Sequence, residues 1–292
     1  MTIKKLPKTV LGRTGLEVTR LGYGAAHRKP QSEENARAVH KAVLEAGINF
    51  IDTADDYGNS EELIGQFLEE RRSEYYIATK CGGSPTGHIW TKEHCLKTFE
   101  DSLRRLRTDV IDVMQLHNPT VVQSHAGHLV EALQEMKQTG KVRWIGVSTT
   151  LPDLAIYLDW GVFDTYQIPY SALERDHEDW ISKAAQQGAG IIIRGGAALG
   201  EPGYGTGDDD GWKNFEKAEL DELREPGESR TCFVLRFTLS HPQAHTVIVG
   251  TTSLNHLHEN IEAACRGPLP ENTYSEAKRR LDCIGISPKP ID

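Results

Sequence analysis

One stretch decides the fold of this 292-residue chain: Phe50-Ile51-Asp52-Thr53-Ala54-Asp55-Asp56-Tyr57-Gly58-Asn59-Ser60-Glu61-Glu62-Leu63-Ile64-Gly65. Residues 48–54 are apolar and rich in β-forming residues, so they predict a short buried strand. That strand carries Asp52, and a carboxylate inside a buried strand needs a polar partner. Tyr57 follows five residues later. The stretch therefore predicts that a carboxylate and a phenol lie together at the carboxyl end of one strand.

The residues after Tyr57 predict the start of a helix over residues 61–71. Ser60 is a residue type that commonly caps a helix N-terminus, because its hydroxyl accepts a hydrogen bond from a free backbone N–H. Glu61 and Glu62 suit the positive end of the helix dipole. The motif is thus predicted to run strand, turn and helix.

A short apolar segment followed by a helix-forming one recurs along the whole chain. The apolar segments predict eight core strands, at residues 20–25, 48–54, 75–80, 110–117, 142–148, 164–168, 191–193 and 246–250. The remaining segments predict helices, at residues 32–47, 61–71, 91–107, 124–139, 152–160, 178–187, 229–240, 254–265 and 274–282. Apolar strands joined by helices form a parallel sheet covered by helices. Eight such units in a chain of this length predict an α/β fold of the closed (β/α)8 TIM barrel type.

The first residues predict an addition to this barrel. Lys8 to Thr19 contains Gly12-Arg13-Thr14-Gly15 between two short alternating segments, which is typical of a β-hairpin. The alternative fold is an open doubly wound sheet, which normally has Gly-x-Gly-x-x-Gly after its first strand. Gly22-Tyr23-Gly24-Ala25-Ala26-His27 does not complete that pattern, so the barrel is favoured. We expect residues 1–292 to form a single domain.

Composition excludes several classes of function. The formal net charge of −9 argues against nucleic acid as the main partner, because phosphate binding needs basic patches. The five cysteines are scattered without a Cys-x-x-Cys pair, which fits a reducing cytoplasm better than a disulfide framework. We find neither a signal peptide nor the roughly 20-residue apolar run of a membrane span. The sequence predicts a cytoplasmic protein that does not use the membrane as a partner.

Further polar residues end the next two predicted strands. Lys80 ends the third strand and His117 ends the fourth. In a (β/α)8 barrel the carboxyl ends of all the strands face one common cavity, where active sites lie. We therefore expect Asp52, Tyr57, Lys80 and His117 to meet there.

These residues resemble the signature of the aldo-keto reductase family. The signature contains Asp-Thr-Ala, Tyr-Gly, Ser-Glu and Ile-Gly, which stand here as Asp52–Ala54, Tyr57-Gly58, Ser60-Glu61 and Ile64-Gly65. The family also has a Lys and a His at the ends of the next two strands, as this chain does. The resemblance extends from the N-terminal hairpin to Glu259-Asn260.

The chemistry that needs this tetrad is carbonyl reduction. Hydride addition to a carbonyl carbon leaves a negatively charged oxygen that must be protonated. Tyr57 is the predicted proton donor, and we expect the Lys80 ammonium to lower its pKa from the usual value of about 10. Asp52 is expected to hold Lys80 and compensate its buried charge. His117 is expected to orient the carbonyl group.

The resemblance implies a nicotinamide cofactor, with NADPH commoner than NADH. Ser148 and Gln167 match positions that bind the carboxamide, and Tyr170 follows at the usual spacing, whereas Thr149 replaces an Asn. Arg194 stands where an aromatic residue usually stacks on nicotinamide. Its guanidinium is expected to stack there, or else to bind an anionic substrate or a cofactor phosphate.

Later segments are expected to cover the rest of the cofactor. The backbone of Gly195 and Gly196 permits a close approach, and the glycine-rich residues 197–229 are expected to form a lid. The family's adenosine-phosphate pocket is matched by Gly250, Thr251, Thr252, His256, Glu259 and Asn260. Arg or Lys is common in NADPH-preferring members where Gly250, Thr252 and His256 stand. NADPH is predicted because it is the commoner cofactor in the family, with NADH as the alternative.

Loops at the same face are expected to form the substrate pocket. The candidates, in addition to Tyr57 and His117, are Ala25, His27, Arg28, Trp90 and Asn118. Together with His88 and Arg194 they make a polar rim, which suggests a hydroxylated or anionic carbonyl compound such as an oxidised sugar. No metal site is expected, since His256 and His258 have no third ligand in sequence.

Two other functions stay open. An NAD-dependent sugar or alcohol dehydrogenase would use the same residues in the oxidative direction. The family also includes nucleotide-sensing subunits of channels with slow turnover. The sequence does not decide the oligomeric state.

Overall fold

The protein is described by a computed structural model that covers residues 5–26 and 32–291. Its strands, in chain order, are β1 Lys8–Val10, β2 Glu17–Thr19, β3 Leu21–Gly24, β4 Phe50–Asp52, β5 Tyr76–Cys81, β6 Gly83–Ser84, β7 Gly87–His88, β8 Ile111–His117, β9 Val142–Ser148, β10 Thr165–Pro169, β11 Gly190–Arg194 and β12 Thr246–Val249. Eight of them close into a parallel barrel in the order β10-β11-β12-β3-β4-β5-β8-β9. The predicted (β/α)8 barrel is therefore confirmed.

Helices surround this barrel on the outside. They are α1 Glu33–Glu45, α2 Ser60–Leu68, α3 Lys92–Leu106, α4 Val121–Ala126, α5 Leu129–Gln138, α6 Asp153–Trp160, α7 Glu178–Gln186, α8 Asp209–Lys217, α9 Arg230–Ser240, α10 Leu254–Arg266 and α11 Glu271–Cys283. Helix α1 shows how they pack. The Ser32 hydroxyl caps it by accepting from Asn35 N, and its apolar face, including Ala36, Val39 and Val43, is buried against the barrel.

The predicted N-terminal hairpin closes the amino-terminal end of the barrel. Strands β1 and β2 pair antiparallel, with Lys8 opposite Thr19. Leu11 and Val18 are buried in a cluster with barrel-interior side chains such as Phe50. The backbone makes a close approach at Gly12, where a Cβ atom would lie 2.3 Å from Gly190 N. The hairpin thus seals the end of the barrel opposite the strand ends that carry the polar residues.

The predicted helix over residues 124–139 is wrong as a single element. The chain forms α4 and α5 with a break at Gly127 and His128, where His128 has a φ of 51°. A side chain at Gly127 would meet the carbonyl oxygen of Trp90 at 2.2 Å. The packing of the loop before α3 therefore breaks a helix that local sequence favours.

The predicted role of Ser60 as a helix cap is also wrong. Ser60 is the first residue of α2, and its hydroxyl donates to Ala25 O at 3.0 Å and lies 2.9 Å from Thr53 Oγ1. It joins the ends of β3 and β4 instead of satisfying the helix N-terminus.

Candidate active site

A cavity of about 910 Å³ opens at the carboxyl ends of the barrel strands. Strands β3, β4, β10, β11 and β12 contribute its floor through Gly24, Asp52, Gln167, Arg194 and Val249. The segment after β11 and the first turns of α10 form its walls. This is the end of the barrel at which the sequence places its chemistry.

Asp52 and Lys80 form a buried ion pair at the floor. Lys80 Nζ donates to Asp52 Oδ2 at 2.6 Å and to Thr53 O at 2.7 Å. Asp52 Oδ1 accepts from Gln115 Nε2 at 3.1 Å and from Gln167 Nε2 at 2.7 Å. Burial alone would lower the pKa of Lys80, but the Asp52 carboxylate and Tyr57 together outweigh burial and raise it. Lys80 is therefore held as an ammonium ion.

Tyr57 lies above this pair and beside His117. The Tyr57 hydroxyl is 3.4 Å from His117 Nε2, and Lys80 Nζ lies 4.9 Å from the centre of the Tyr57 ring. Burial raises the pKa of Tyr57, and although Lys80 lowers it, the net shift is upward. The expected net lowering of the Tyr57 pKa is wrong. Taking the phenolate out of water costs more free energy than its attraction to the Lys80 ammonium provides. Tyr57 is consequently held as a phenol, the form that can donate a proton.

The residues matched to a carboxamide site divide into two groups. Gln167 lines the cavity. Ser148 and Thr149 are buried at the end of β9 and, unlike Gln167, are not among the described residues that line the cavity. The Ser148 hydroxyl donates to Asn118 Oδ1 at 3.2 Å. Asn118, a substrate candidate, has a φ of 60° at this turn.

Tyr170 does not lie where the resemblance implies. Its side chain is fully buried, with its ring centre 6.1 Å from that of Phe237 and 5.3 Å from that of His241. Its hydroxyl is 3.1 Å from that of Tyr274 on α11. We correct the expectation, because Tyr170 packs the barrel against its outer helices and is not among the residues that line the cavity.

Arg194 and the two glycines after it line the cavity, as expected. Arg194 Nε is buried without a hydrogen-bond partner among the described residues, and burial lowers the pKa of the guanidinium although Glu174 opposes that shift. Gly195 has a φ of 71°, and a side chain at Gly196 would meet Val247 Cγ1 at 2.3 Å. A guanidinium donor without a partner in the described part of the chain therefore lies beside the cavity, and Gly196 is needed for close packing against β12.

The other end of the cavity is formed by the start of α10. The six residues expected there all line the cavity: Gly250, Thr251, Thr252, His256, Glu259 and Asn260. The ring of Tyr204, from the segment after β11, packs on His256 with their centres 4.0 Å apart. Among the described residues that line the cavity, Arg194 is the one Arg or Lys, and it lies at the opposite end.

The predicted substrate residues are only partly brought together. Trp90 stacks on His88, with ring centres 4.9 Å apart. Ala25 is buried, and its N–H donates to Asp52 O, so its expected place in the pocket is taken by Ala26. His27 and Arg28 lie outside the described residues.

Sequence reasoning missed two groups of contacts. Gln115 was not singled out, although it lies two residues before His117 on β8 and therefore points the same way, into the barrel. Asp56 Oδ1 lies 3.2 Å from His117 Nδ1, and His88 Nε2 lies 3.3 Å from the same atom. No sequence signal connects Asp56 with His88, because a separate hairpin, β6–β7, places His88 next to Asp56.

Comparison with known proteins decides the family. A model of the aldo/keto reductase family matches residues 20–281. The chain belongs to that family. This aldo-keto reductase is an NAD(P)H-dependent oxidoreductase.

Relatives and solved structures agree. The chain is 29% identical to an L-galactose dehydrogenase of Arabidopsis thaliana over 96% of each chain. It is 32% identical to an NADH-specific methylglyoxal reductase of Escherichia coli over 66% of each chain. An aldo-keto reductase from Bacillus halodurans in its holo form superimposes with a TM-score of 0.81 at 28% identity, covering 94% of this chain and 96% of that one.

The cavity of this aldo-keto reductase suits the family's nicotinamide cofactor. Its volume is in the range of small-molecule sites. Arg194, whose Nε has no hydrogen-bond partner among the described residues, provides a spare donor beside the cavity. Backbone N–H groups at the N-terminus of α10 suit a phosphate. Within residues 5–26 and 32–291, every helix is too short or too polar to cross a membrane.

Proposed function

We propose that this aldo-keto reductase reduces a small polar aldehyde or ketone to an alcohol, with Tyr57 as the proton donor. The observation that carries the proposal is the meeting of the Tyr57 hydroxyl, His117 Nε2 and the Lys80–Asp52 pair, where Tyr57 and Asp52 line the cavity. The nicotinamide, when bound, supplies the hydride. The chain has to place the carbonyl group and protonate its oxygen.

Each residue of the tetrad has a distinct part in that proton transfer. The carbonyl oxygen binds between Tyr57 and His117, so that both groups can donate to it as negative charge develops. Tyr57 gives up its proton and becomes a phenolate. The Lys80 ammonium, 4.9 Å from the Tyr57 ring centre, stabilises that phenolate. Asp52 and its two glutamine donors hold Lys80 in place and keep the buried charge paired.

We further propose NADH as the preferred cofactor, which reverses the expectation from the family's habit. A 2′-phosphate binds best to a guanidinium or ammonium group. The described residues that line the adenosine end are neutral or acidic, with Glu259 next to Asn260. One relative is named as NADH-specific, which supports the same preference.

The substrate class follows from the rim. We take the mouth to be formed by His88, His117, Asn118 and Arg194, which are polar, with Trp90 as one apolar surface; Arg194 is the one of these that lines the described cavity. Such a mouth favours a hydroxylated or anionic carbonyl compound. A relative named for L-galactose supports a sugar-like substrate, and the same residues would serve oxidation of the alcohol if the cell supplies NAD in excess.

The test compares wild type with Tyr57→Phe. NADH and NADPH oxidation are followed against a panel of aldehydes and aldoses, while cofactor affinity is measured separately by quenching of protein fluorescence. We expect the variant to lose at least about 100-fold in kcat, because one general acid contributes roughly that much, with cofactor affinity unchanged. Turnover retained in Tyr57→Phe would refute the proposed proton donor.

A further inference from the structure

Three side chains beside Tyr57 bring metal-binding atoms together. Asp56 follows β4, His88 ends β7 and His117 ends β8. His117 Nδ1 lies 3.2 Å from Asp56 Oδ1 and 3.3 Å from His88 Nε2, and His88 Nε2 lies 3.4 Å from Asp56 Oδ2. In the described part of the chain, one ligand atom from each of these residues lies within 4.8 Å of the others.

These spacings are long for hydrogen bonds. A bond between an imidazolium N–H and a carboxylate is usually about 2.7–2.9 Å. Tetrahedral zinc ligands at about 2.0–2.1 Å from the metal lie about 3.3 Å from one another. The 3.3 Å between the two ring nitrogens matches that edge length, and each nitrogen lies at a similar distance, 3.2 or 3.4 Å, from a different oxygen of the Asp56 carboxylate.

Hydrogen bonds among the three groups also leave one contact unsatisfied. His117 Nδ1 faces both Asp56 and His88, but one ring nitrogen carries at most one hydrogen. If it donates to Asp56, it has no hydrogen left for His88 Nε2. A cation between the three atoms accepts a lone pair from each of them at once. Two imidazoles and a carboxylate are a donor set typical of zinc and its neighbours in the first transition series.

The surroundings hold the three ligands in place and leave one side open. His88 stacks on Trp90 with the two rings within 6° of parallel, and a side chain at Gly82 would meet Trp90 Cζ3 at 2.3 Å. The His88, Asp56 and His117 side chains are 29%, 24% and 11% exposed. A bound ion would therefore have its fourth position toward solvent.

We propose that Asp56, His88 and His117 form a binding site for a divalent transition-metal ion, Zn²⁺ in particular. An ion on Nδ1 of His117 fixes the ring hydrogen on Nε2, the atom that faces Tyr57. It also lies beside the Tyr57–His117 pair, between which the carbonyl oxygen is proposed to bind. Zn²⁺ is therefore expected to inhibit turnover reversibly, a property that goes beyond the proposed function.

The test uses Co²⁺ alone as a spectroscopic probe of the full-length, chelator-treated protein. We expect one equivalent of Co²⁺ to produce the intense visible d–d bands of a four-coordinate site, and Zn²⁺ to abolish them. This readout does not depend on catalysis, so it separates the metal site from the proposed reductase activity. Zn²⁺ inhibition of carbonyl reduction is then measured over the same concentration range.

Variants assign the bands to these residues. His88→Ala is expected to weaken Co²⁺ binding more than about 100-fold, since it removes a ligand and second-shell changes alone cost 10–100-fold. His88→Cys should retain the ion and add a sulfur-to-cobalt charge-transfer band in the near ultraviolet, which only direct coordination produces. His258→Ala is the control, because His258 is exposed on α10 and pairs with Glu262.

Several outcomes would overturn the proposal. These are the absence of visible bands, bands that survive in correctly folded His88→Ala, or a near-ultraviolet sulfur band in wild type. The last would assign the ion to a cysteine, such as the exposed Cys283. Retained far-UV circular dichroism and thermal melting show that each variant is folded.

Discussion

At the scale of single residues, the Lys80–Asp52 pair combines stability with catalysis. Lys80 is fully buried, so Lys80→Met leaves the Asp52 carboxylate with only two amide donors. We expect Lys80→Met to lower the free energy of unfolding by about 3–5 kcal/mol, because one buried charge loses its partner. Urea unfolding measures this loss. Turnover should also fall, since the phenolate of Tyr57 loses its cation.

A double replacement separates the two roles. Lys80→Met combined with Asp52→Asn removes both charges, so much of the lost stability should return. Turnover should stay low, because no ammonium is present to stabilise the phenolate. Recovery of turnover with stability would mean that the pair acts only as a structural support.

At the scale of elements, the amino ends of the barrel strands contribute to stability, whereas the carboxyl ends carry the active site. Asp112, near the amino end of β8, accepts from Arg72 Nη2 at 2.7 Å, Arg143 Nη1 at 2.8 Å and Ile77 N at 2.9 Å. We expect Asp112→Ala to cost about 3 kcal/mol of unfolding free energy, since one buried N–H and two cations lose their acceptor. Chemical denaturation measures the cost. Activity of the folded variant should be unchanged, because active sites lie at the other end of the barrel.

Asp109→Ala is the matched control for Asp112→Ala. Asp109 is exposed in the loop before β8, and its removal should change stability by less than about 0.5 kcal/mol. Equal effects of the two substitutions would contradict the assignment of Asp112 as the link between neighbouring elements.

The first turns of helix α10 are expected to set the cofactor preference. His256 lines the cavity there, so His256→Arg places a guanidinium where a 2′-phosphate would bind. We expect the KM for NADPH to fall about tenfold, the value of one charge-assisted hydrogen bond, with little change for NADH. Steady-state kinetics with both cofactors measures the change. His258→Arg adds the same charge on the exposed side of α10 and should leave the ratio of the two KM values unaltered.

At the scale of the whole molecule, buried neutral histidines make stability depend on pH. Burial lowers the pKa of His177 to about 4, although Asp176 opposes that shift. Burial and the adjacent Arg20 lower the pKa of His245 to about 4. Between pH 6.5 and 4 the unfolded chain binds protons on these rings that the folded chain does not. The free energy of unfolding should therefore fall as pH drops through that range, by about 2 kcal/mol for each ring.

Substitutions that retain the accepted hydrogen bonds test this pH dependence. His177 Nε2 accepts from Leu151 N and His245 Nδ1 accepts from Ile191 N, so His177→Gln and His245→Asn supply oxygens in similar places. Urea unfolding at pH 7 and pH 4.5 should show a smaller difference in each variant than in wild type. An unchanged difference would show that other groups carry the dependence. His258→Gln, on the surface, serves as the control.

The barrel and the tetrad could be predicted from sequence because both depend on local patterns. Each apolar strand and each helix is recognisable from its own local stretch of sequence, and eight such strand–helix units form a closed barrel. Asp52, Lys80 and His117 end successive strands, so barrel closure alone brings them to one cavity. The expectation of one domain over residues 1–292 stays a prediction.

Only the tertiary structure decided the contacts between distant segments. Gln115 and Gln167 meet at Asp52, Tyr170 turns into the core, and His88 reaches His117 through a hairpin that no local pattern marks. Local sequence determines which strand a residue ends and on which face it lies. It does not determine how burial and neighbouring charges compete at Tyr57, because that balance includes Lys80, which the closed barrel brings in from a separate strand.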